Sequence, residues 1–122
     1  MEPATAGAEI LTEAYDLITG DRQNDYDHPL EDYSRTVDIF RAITGITLTP
    51  EEGILFMICV KFSRFANELQ NGLNVPDNLR DAAGYIGCLK MAMEKQRQNE
   101  SDVDRIFDQL RHRFKTGEST WV

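Results

Sequence analysis

The chain has 122 residues, of which 41% are hydrophobic and 28% charged, with a formal net charge of −8. That length suits one domain around a single core. The acidic balance argues against extended contact with DNA, RNA or an anionic membrane, each of which needs a basic face, but it leaves room for a local basic pocket that takes a small phosphate. No apolar run reaches the length of a membrane span, and MEPATAGAEI lacks the basic and apolar regions of a signal peptide, so a cytoplasmic location is expected. Cys59 and Cys88 fall inside apolar helical patterns and read as free, buried thiols of a reducing compartment; with two histidines at these spacings they make no zinc motif.

Taken in chain order, the pattern predicts an all-α bundle of about five helices without strands, a single domain over residues 1–116 and a mobile tail over 117–122. The first helix runs from about Thr5 to Thr19, with Ile10, Leu11, Ala14, Leu17 and Ile18 at helical spacing and Gly20 as its stop. GDRQNDYDHPLEDY follows, from Gly20 to Tyr33, rich in ionisable residues and aromatics and poor in core formers. A connection of this length usually means a site or disorder. Pro29 then takes the first position of a second helix, whose stripe is Leu30, Tyr33, Val37 and Phe40, and Gly45 ends it.

Thr49-Pro50-Glu51-Glu52 is a capping box with proline at the first helical position, and it opens the third helix. The run GILFMICV is apolar on nearly every side, which places this helix at the bundle centre. Asn71-Gly72 terminates it. Asp77, after Pro76, opens a fourth helix with an inner face of Leu79, Ala82, Ala83, Ile86, Leu89 and Met93; Gly84 and Gly87 lower its propensity and read as places where a neighbouring backbone comes close. A fifth helix is expected from Ser101 or Asp102, with Val103, Ile106, Phe107, Leu110 and Phe114 as a narrow stripe that packs on the bundle or on a second subunit.

Two places break the helical rules. Lys61 and Arg64 lie three apart on the most apolar helix, and cations beside a core are costly unless anions meet them. Asp77 and Asp81 lie four apart at the start of the next helix; Asp77 reads readily as an N-cap, whereas Asp81 adjoins inner-face residues. A short loop makes these two helices an antiparallel pair, which brings Lys61 and Arg64 near Asp77 and Asp81. The four either neutralise one another as structural ion pairs, or form a site in which the cations hold phosphate oxygens and the carboxylates hold Mg²⁺, with Glu31 or Asp32 as a further ligand. In the long connection, His28 is a candidate proton carrier or phosphate donor, or else a cap for the second helix; Tyr26 stacks on a base or anchors the loop; Asp25 and Asp27 are turn formers; Arg22 is a further cation.

Read as one string, EILTEAYDLITGDRQNDYDHPLEDY, VKFSR and DNLRDAAGYIG resemble a group of small helical proteins common in phage genomes. Its pattern is Gly-Asp-Arg, then acid-Tyr-Gly-His-Pro, a Lys-x-x-Arg on a central helix and Asp-Asn-x-x-Asp-x-x-Gly-Tyr on the next, and the match spans Glu9 to Gly87. Asp27 stands where that group usually carries glycine. The group is distantly similar to the all-α nucleotide pyrophosphohydrolases of the MazG and dimeric dUTPase type, which bind Mg²⁺ through acidic helix motifs and split a nucleoside triphosphate into monophosphate and pyrophosphate. The resemblance implies a MazG-like bundle, a homodimer or homotetramer, and a nucleotide as ligand in the host cytoplasm. It adds Asn78 and Tyr85 to Arg22, Tyr26, His28, Lys61 and Arg64 as ligand contacts. On a hydrolase reading of these residues, His28 and Asp81 take catalytic roles and Glu31, Asp32, Asp77 and Asp81 metal roles. The central helix has no Glu-x-x-Glu, however, and only Asp77 and Asp81 offer a loose counterpart. Three expectations therefore stand: a Mg²⁺-dependent pyrophosphohydrolase, a non-catalytic protein that sequesters a host nucleotide signal, and an acidic interaction module that inhibits a host protein.

Overall fold

The computed structural model describes residues 1–20 and 28–116, and the described residues form four α-helices: α1 Pro3–Thr19, α2 Pro29–Thr44, α3 Pro50–Gln70 and α4 Asp77–Thr116. The segment from Asp21 to Asp27, with the candidates Arg22 and Tyr26, and the C-terminal tail lie outside the described residues.

The helix ends follow local chemistry. Thr49 Oγ1 accepts the Glu52 N–H at 3.1 Å while Glu52 Oε1 accepts the Thr49 N–H at 3.0 Å, the reciprocal capping box. Gly72 at φ 61° lets the Leu73 N–H reach back to the Glu68 carbonyl at 3.0 Å and close α3. Gly45 ends α2 in the same left-handed region, at φ 77°.

α4 packs along α3 and also receives α1 and α2, whereas α1 touches α4 alone among the described helices. The core is Leu30 of α2, Ile54 and Ile58 of α3 and Ala92 of α4, with Tyr33, Tyr85 and Leu89 packed against it. Burying a side chain such as that of Ile54 contributes about 1.5–3 kcal/mol. The expected close approach at Gly84 and Gly87 is made by a side chain rather than a backbone: a Cβ at Gly87 would stand 2.7 Å from Ile18 Cδ1, so α1 seats its last isoleucine in the groove these glycines leave.

Four expectations are corrected. The fourth and fifth helices are one, α4, continuous over 40 residues. Ser101 and Asp102 are good capping residues, but no glycine or proline stands between Cys88 and Thr116, so nothing breaks the preceding turn. α3 is not surrounded: it turns Ile54 and Ile58 inward and leaves Leu55, Phe56, Phe62 and Leu69 exposed, because the other three helices leave that face open. Cys59 lies on the same exposed face and is not buried; Cys88 is half-buried, and neither forms a disulfide. The inner face of α4 is also rotated from the expected one. Leu79, Ile86 and Met93 are exposed, and the buried line runs through Asn78, Ala82 and Ala92 with Tyr85 and Leu89, since small residues let α3 come close.

Candidate functional site

The inward line of α3 is Ile54, Ile58, Lys61, Phe65 and Glu68, at spacings of four and three. Its first two members are core residues and two of its later three, Lys61 and Glu68, are charged, so the α3–α4 seam changes character along its length. At the core end, Ile54 and Ile58 pack against Leu89 and Ala92. At the loop end, Lys61 and Glu68 must find polar partners, and the antiparallel start of α4 supplies them.

Lys61 Nζ lies 3.0 Å from Asp81 Oδ2, with side chains only 14% and 20% exposed. Arg80 then joins Asp81 to Asp77: its Nε is 3.3 Å from Asp81 Oδ1 and one of its terminal nitrogens 3.1 Å from Asp77 Oδ1. The result is a chain, Lys61–Asp81–Arg80–Asp77, running from half-buried to exposed. Part of the expected cluster is thereby brought together. Arg80, which the sequence reading passed over, is its linking residue; the signal for it was its position between two aspartates on one helix turn. Arg64 does not join. It is exposed on α3, about one turn beyond Lys61, where the inward line passes through Phe65 instead.

Further toward the loop, Glu68 is 7% and Asn78 8% exposed. Glu68 Oε1 accepts the Val75 N–H at 2.7 Å, and Oε2 accepts an Asn78 side-chain N–H at 3.1 Å. This carboxylate ties the α3–α4 loop to both helices. Asn78, expected to contact a ligand, spends its amide on this clamp. Glu68 was legible as the acid on the inward line, seven residues from Lys61.

A second polar group lies at the start of α2. His28 caps that helix, its Nδ1 accepting the Leu30 N–H at 3.1 Å. A nitrogen that accepts carries no proton, so the ring is neutral with its proton on Nε2, and the 3.5 Å approach of Nδ1 to Glu31 is not an ion pair in that state. Burial, followed by the nearby Lys95 cation, lowers the His28 pKa, outweighing the opposite pull of Glu31. Glu31 is bound by the Lys95 ammonium on α4, and that hydrogen bond is the main reason its pKa is lowered. Asp32 faces Arg35 at 3.8 Å on its own helix. Burial, then the neighbouring Tyr85 hydroxyl, raises the Tyr33 pKa. Tyr85, the other ligand candidate on α4, is thus half-buried between α2 and the core.

The two groups stand apart. Asp81 and Lys95 are fourteen residues apart on one straight element, about 21 Å along its axis, and Glu31 goes with Lys95. The carboxylates expected to share Mg²⁺ are therefore divided between the start and the middle of α4, and each of Glu31 and Asp81 already holds a lysine. Among the described residues, no group of three or more His, Cys, Asp or Glu side chains is placed to hold a metal ion. The described side chains do not fit a common Mg²⁺ site.

The chain is thus a small all-helical protein with a charged seam between two antiparallel helices, and no described helix is long and apolar enough to cross a membrane. Residues 9–93 match the family described as "Domain of unknown function (DUF6378)", and the chain belongs to that family. It is 37% identical over 102 residues to the Gene 55 protein of Mycobacterium phage L5, covering 83% of this chain and 63% of that protein. It is 29% identical over 91 residues to the Gene 55 protein of Mycobacterium phage D29, covering 75% and 58% respectively. The chain thus spans less than two thirds of the length of these phage relatives. No solved structure matches it.

Proposed function

We propose that this chain is a phage nucleotide-handling protein that acts in the host cytoplasm and receives the phosphate end of a nucleotide at the loop end of the α3–α4 seam. Lys61, Arg80 and Arg64 are the cations offered there. The observation that carries this reading is the half-buried Lys61–Asp81–Arg80 chain, which places fixed cations at one edge of an otherwise acidic protein. An entering phosphate exchanges carboxylate oxygens for its own around Arg80, whose planar fork suits such oxygens. The motif resemblance points the same way.

Of the two modes, holding suits the described geometry better than cleaving. A MazG-like pyrophosphohydrolase needs carboxylates gathered on one Mg²⁺, and here they are divided and lysine-bound. Cations alone suffice to hold an anionic ligand. Charge mimicry of nucleic acid has less support, because acids and bases alternate along α4 and pair within it, as Arg105 does with Asp102 and Arg111 with Asp108.

Titration calorimetry with nucleoside mono-, di- and triphosphates in EDTA tests this reading, comparing the native chain with Arg80→Met and Arg64→Met. Loss of affinity in both variants, with nucleotide recovered intact, supports it. Release of pyrophosphate on adding Mg²⁺ transfers the assignment to the hydrolase. Equal affinity in the variants removes the nucleotide from this seam.

A further inference from the structure

We propose that the projecting half of α4 is a self-association surface, on which a second copy of this chain pairs antiparallel. This inference is independent of the nucleotide reading.

From Arg97 to Lys115 every residue of α4 is exposed except Leu110, which is half-buried. About 20 residues of helix therefore run about 30 Å beyond the bundle. Helical stability in proteins comes mostly from packing an apolar face rather than from propensity. Yet one side of it is apolar: Val103, Ile106, Phe107 and Phe114 are 48–65% exposed, and with Leu110 they recur at spacings of three and four. That is the narrow seam of a two-helix contact rather than the wide face of a helix lying on a globular core.

The charges identify the occupant. With every Asp, Glu, Lys and Arg counted, the first part of the projection is net acidic, with Glu100, Asp102 and Asp104 against Arg97 and Arg105, and the last part is net basic, with Arg111, Arg113 and Lys115 against Asp108. The two blocks flank a midpoint near Phe107 and Asp108. A parallel partner copy would set acid on acid and base on base. An antiparallel copy sets each acidic block on the other chain's basic block, twice over, as a two-fold interface requires. With Phe107 opposite the second copy's Leu110, and Val103 opposite its Phe114, Asp102 lies beside that copy's Arg113 on one flank of the seam and Asp104 beside its Arg111 and Lys115 on the other, each within about 3 Å of level. An unrelated acidic or basic partner would be matched by one block and repelled by the other. The intrahelical pairs Arg105–Asp102 and Arg111–Asp108 are about two-thirds exposed on both sides, so they hold little energy and do not oppose the exchange.

Light scattering on the full chain, over a range of concentrations and with circular dichroism to confirm helix content, tests the pairing. The native chain should be dimeric. Asp102→Lys with Asp104→Lys should weaken the dimer at least tenfold, as should Arg111→Glu with Arg113→Glu. All four changes in one chain should restore it, because reversing both blocks restores antiparallel complementarity, and mixing the two double variants should give a heterodimer. A native chain that stays monomeric at every concentration overturns the proposal. So does a dimer indifferent to the double changes, or a fourfold variant as weak as either double.

Discussion

Lys61 of α3 and Asp81 of α4 meet at 3.0 Å in a seam that is otherwise closing on a hydrophobic core. Asp81 also holds Arg80, so removing the acid harms two cations while removing the lysine harms one carboxylate that keeps another partner. Asp81→Leu should destabilise the protein by about 2–4 kcal/mol and Lys61→Met by about 1–2 kcal/mol. The double variant should fall within about 1 kcal/mol of the native chain, since apolar replacement of both members leaves no stranded charge. Urea unfolding of the four proteins measures this coupling. Additive losses would show that the two side chains do not act as a pair.

Glu68 is the stronger structural acid. It accepts the Val75 N–H and the Asn78 amide, and both donors are left without a carboxylate if it is removed. Glu68→Ala should cost about 2–4 kcal/mol, the sum of two donors left unsatisfied in a mostly dry place. Glu68→Gln keeps one oxygen for Val75 and should cost less. Denaturant midpoints rank the two, and the reverse order would contradict the clamp.

Glycine substitutions separate packing from propensity. A Cβ at Gly53 would stand 2.9 Å from Val37 Cγ1, on a buried, β-branched side chain with little room to turn. Gly53→Ala should therefore destabilise by about 1–3 kcal/mol despite the better helix former. At Gly84 the nearest atom, Ile18 Cγ2, is 3.9 Å away, an ordinary contact. Gly84→Ala should stabilise by up to about 1 kcal/mol. Thermal midpoints of the two variants should move in opposite directions.

The cap of α2 makes stability depend on pH. The His28 pKa in the folded chain is lowered from 6.5, so between that lowered value and 6.5 the unfolded chain binds more protons. Stability is therefore lost as pH falls from about 7 through this window, because a protonated Nδ1 can no longer accept the Leu30 N–H. His28→Asn supplies a cap without this titration. Unfolding at pH 7.5 and 5.5 should show a larger loss for the native chain than for the variant. At lower pH, the lowered pKa of Glu31 adds a second loss as the carboxylate that holds Lys95 protonates.

The helix starts and stops were legible because they are written in adjacent residues: the Thr49–Glu52 box, Gly45 and Gly72 each contain their own physics. The Lys61–Asp81 contact was legible too, because a short loop forces α3 and α4 antiparallel. What was not legible depends on the third dimension. Ser101 and Asp102 offered a cap, but a cap does not end a helix that nothing else breaks. The exposure of Leu55 and Phe62 depends on how many helices come to cover α3, and composition does not count neighbours. The Glu31–Lys95 pair joins residues 64 positions apart, and only the packed bundle reveals that it draws Glu31 away from Asp81.

The central claim, that the cationic edge of the α3–α4 seam receives a nucleotide, is tested most directly by thermal-shift measurement of the native chain against a nucleotide panel, with Mg²⁺ and with EDTA. A ligand that binds only the folded state raises its stability by mass action. At least one nucleotide should raise the midpoint in EDTA, and Arg80→Met should remove that rise. A midpoint unmoved by every nucleotide under both conditions would contradict the claim and leave Lys61, Arg80 and Asp81 as ion pairs that do no more than join two helices.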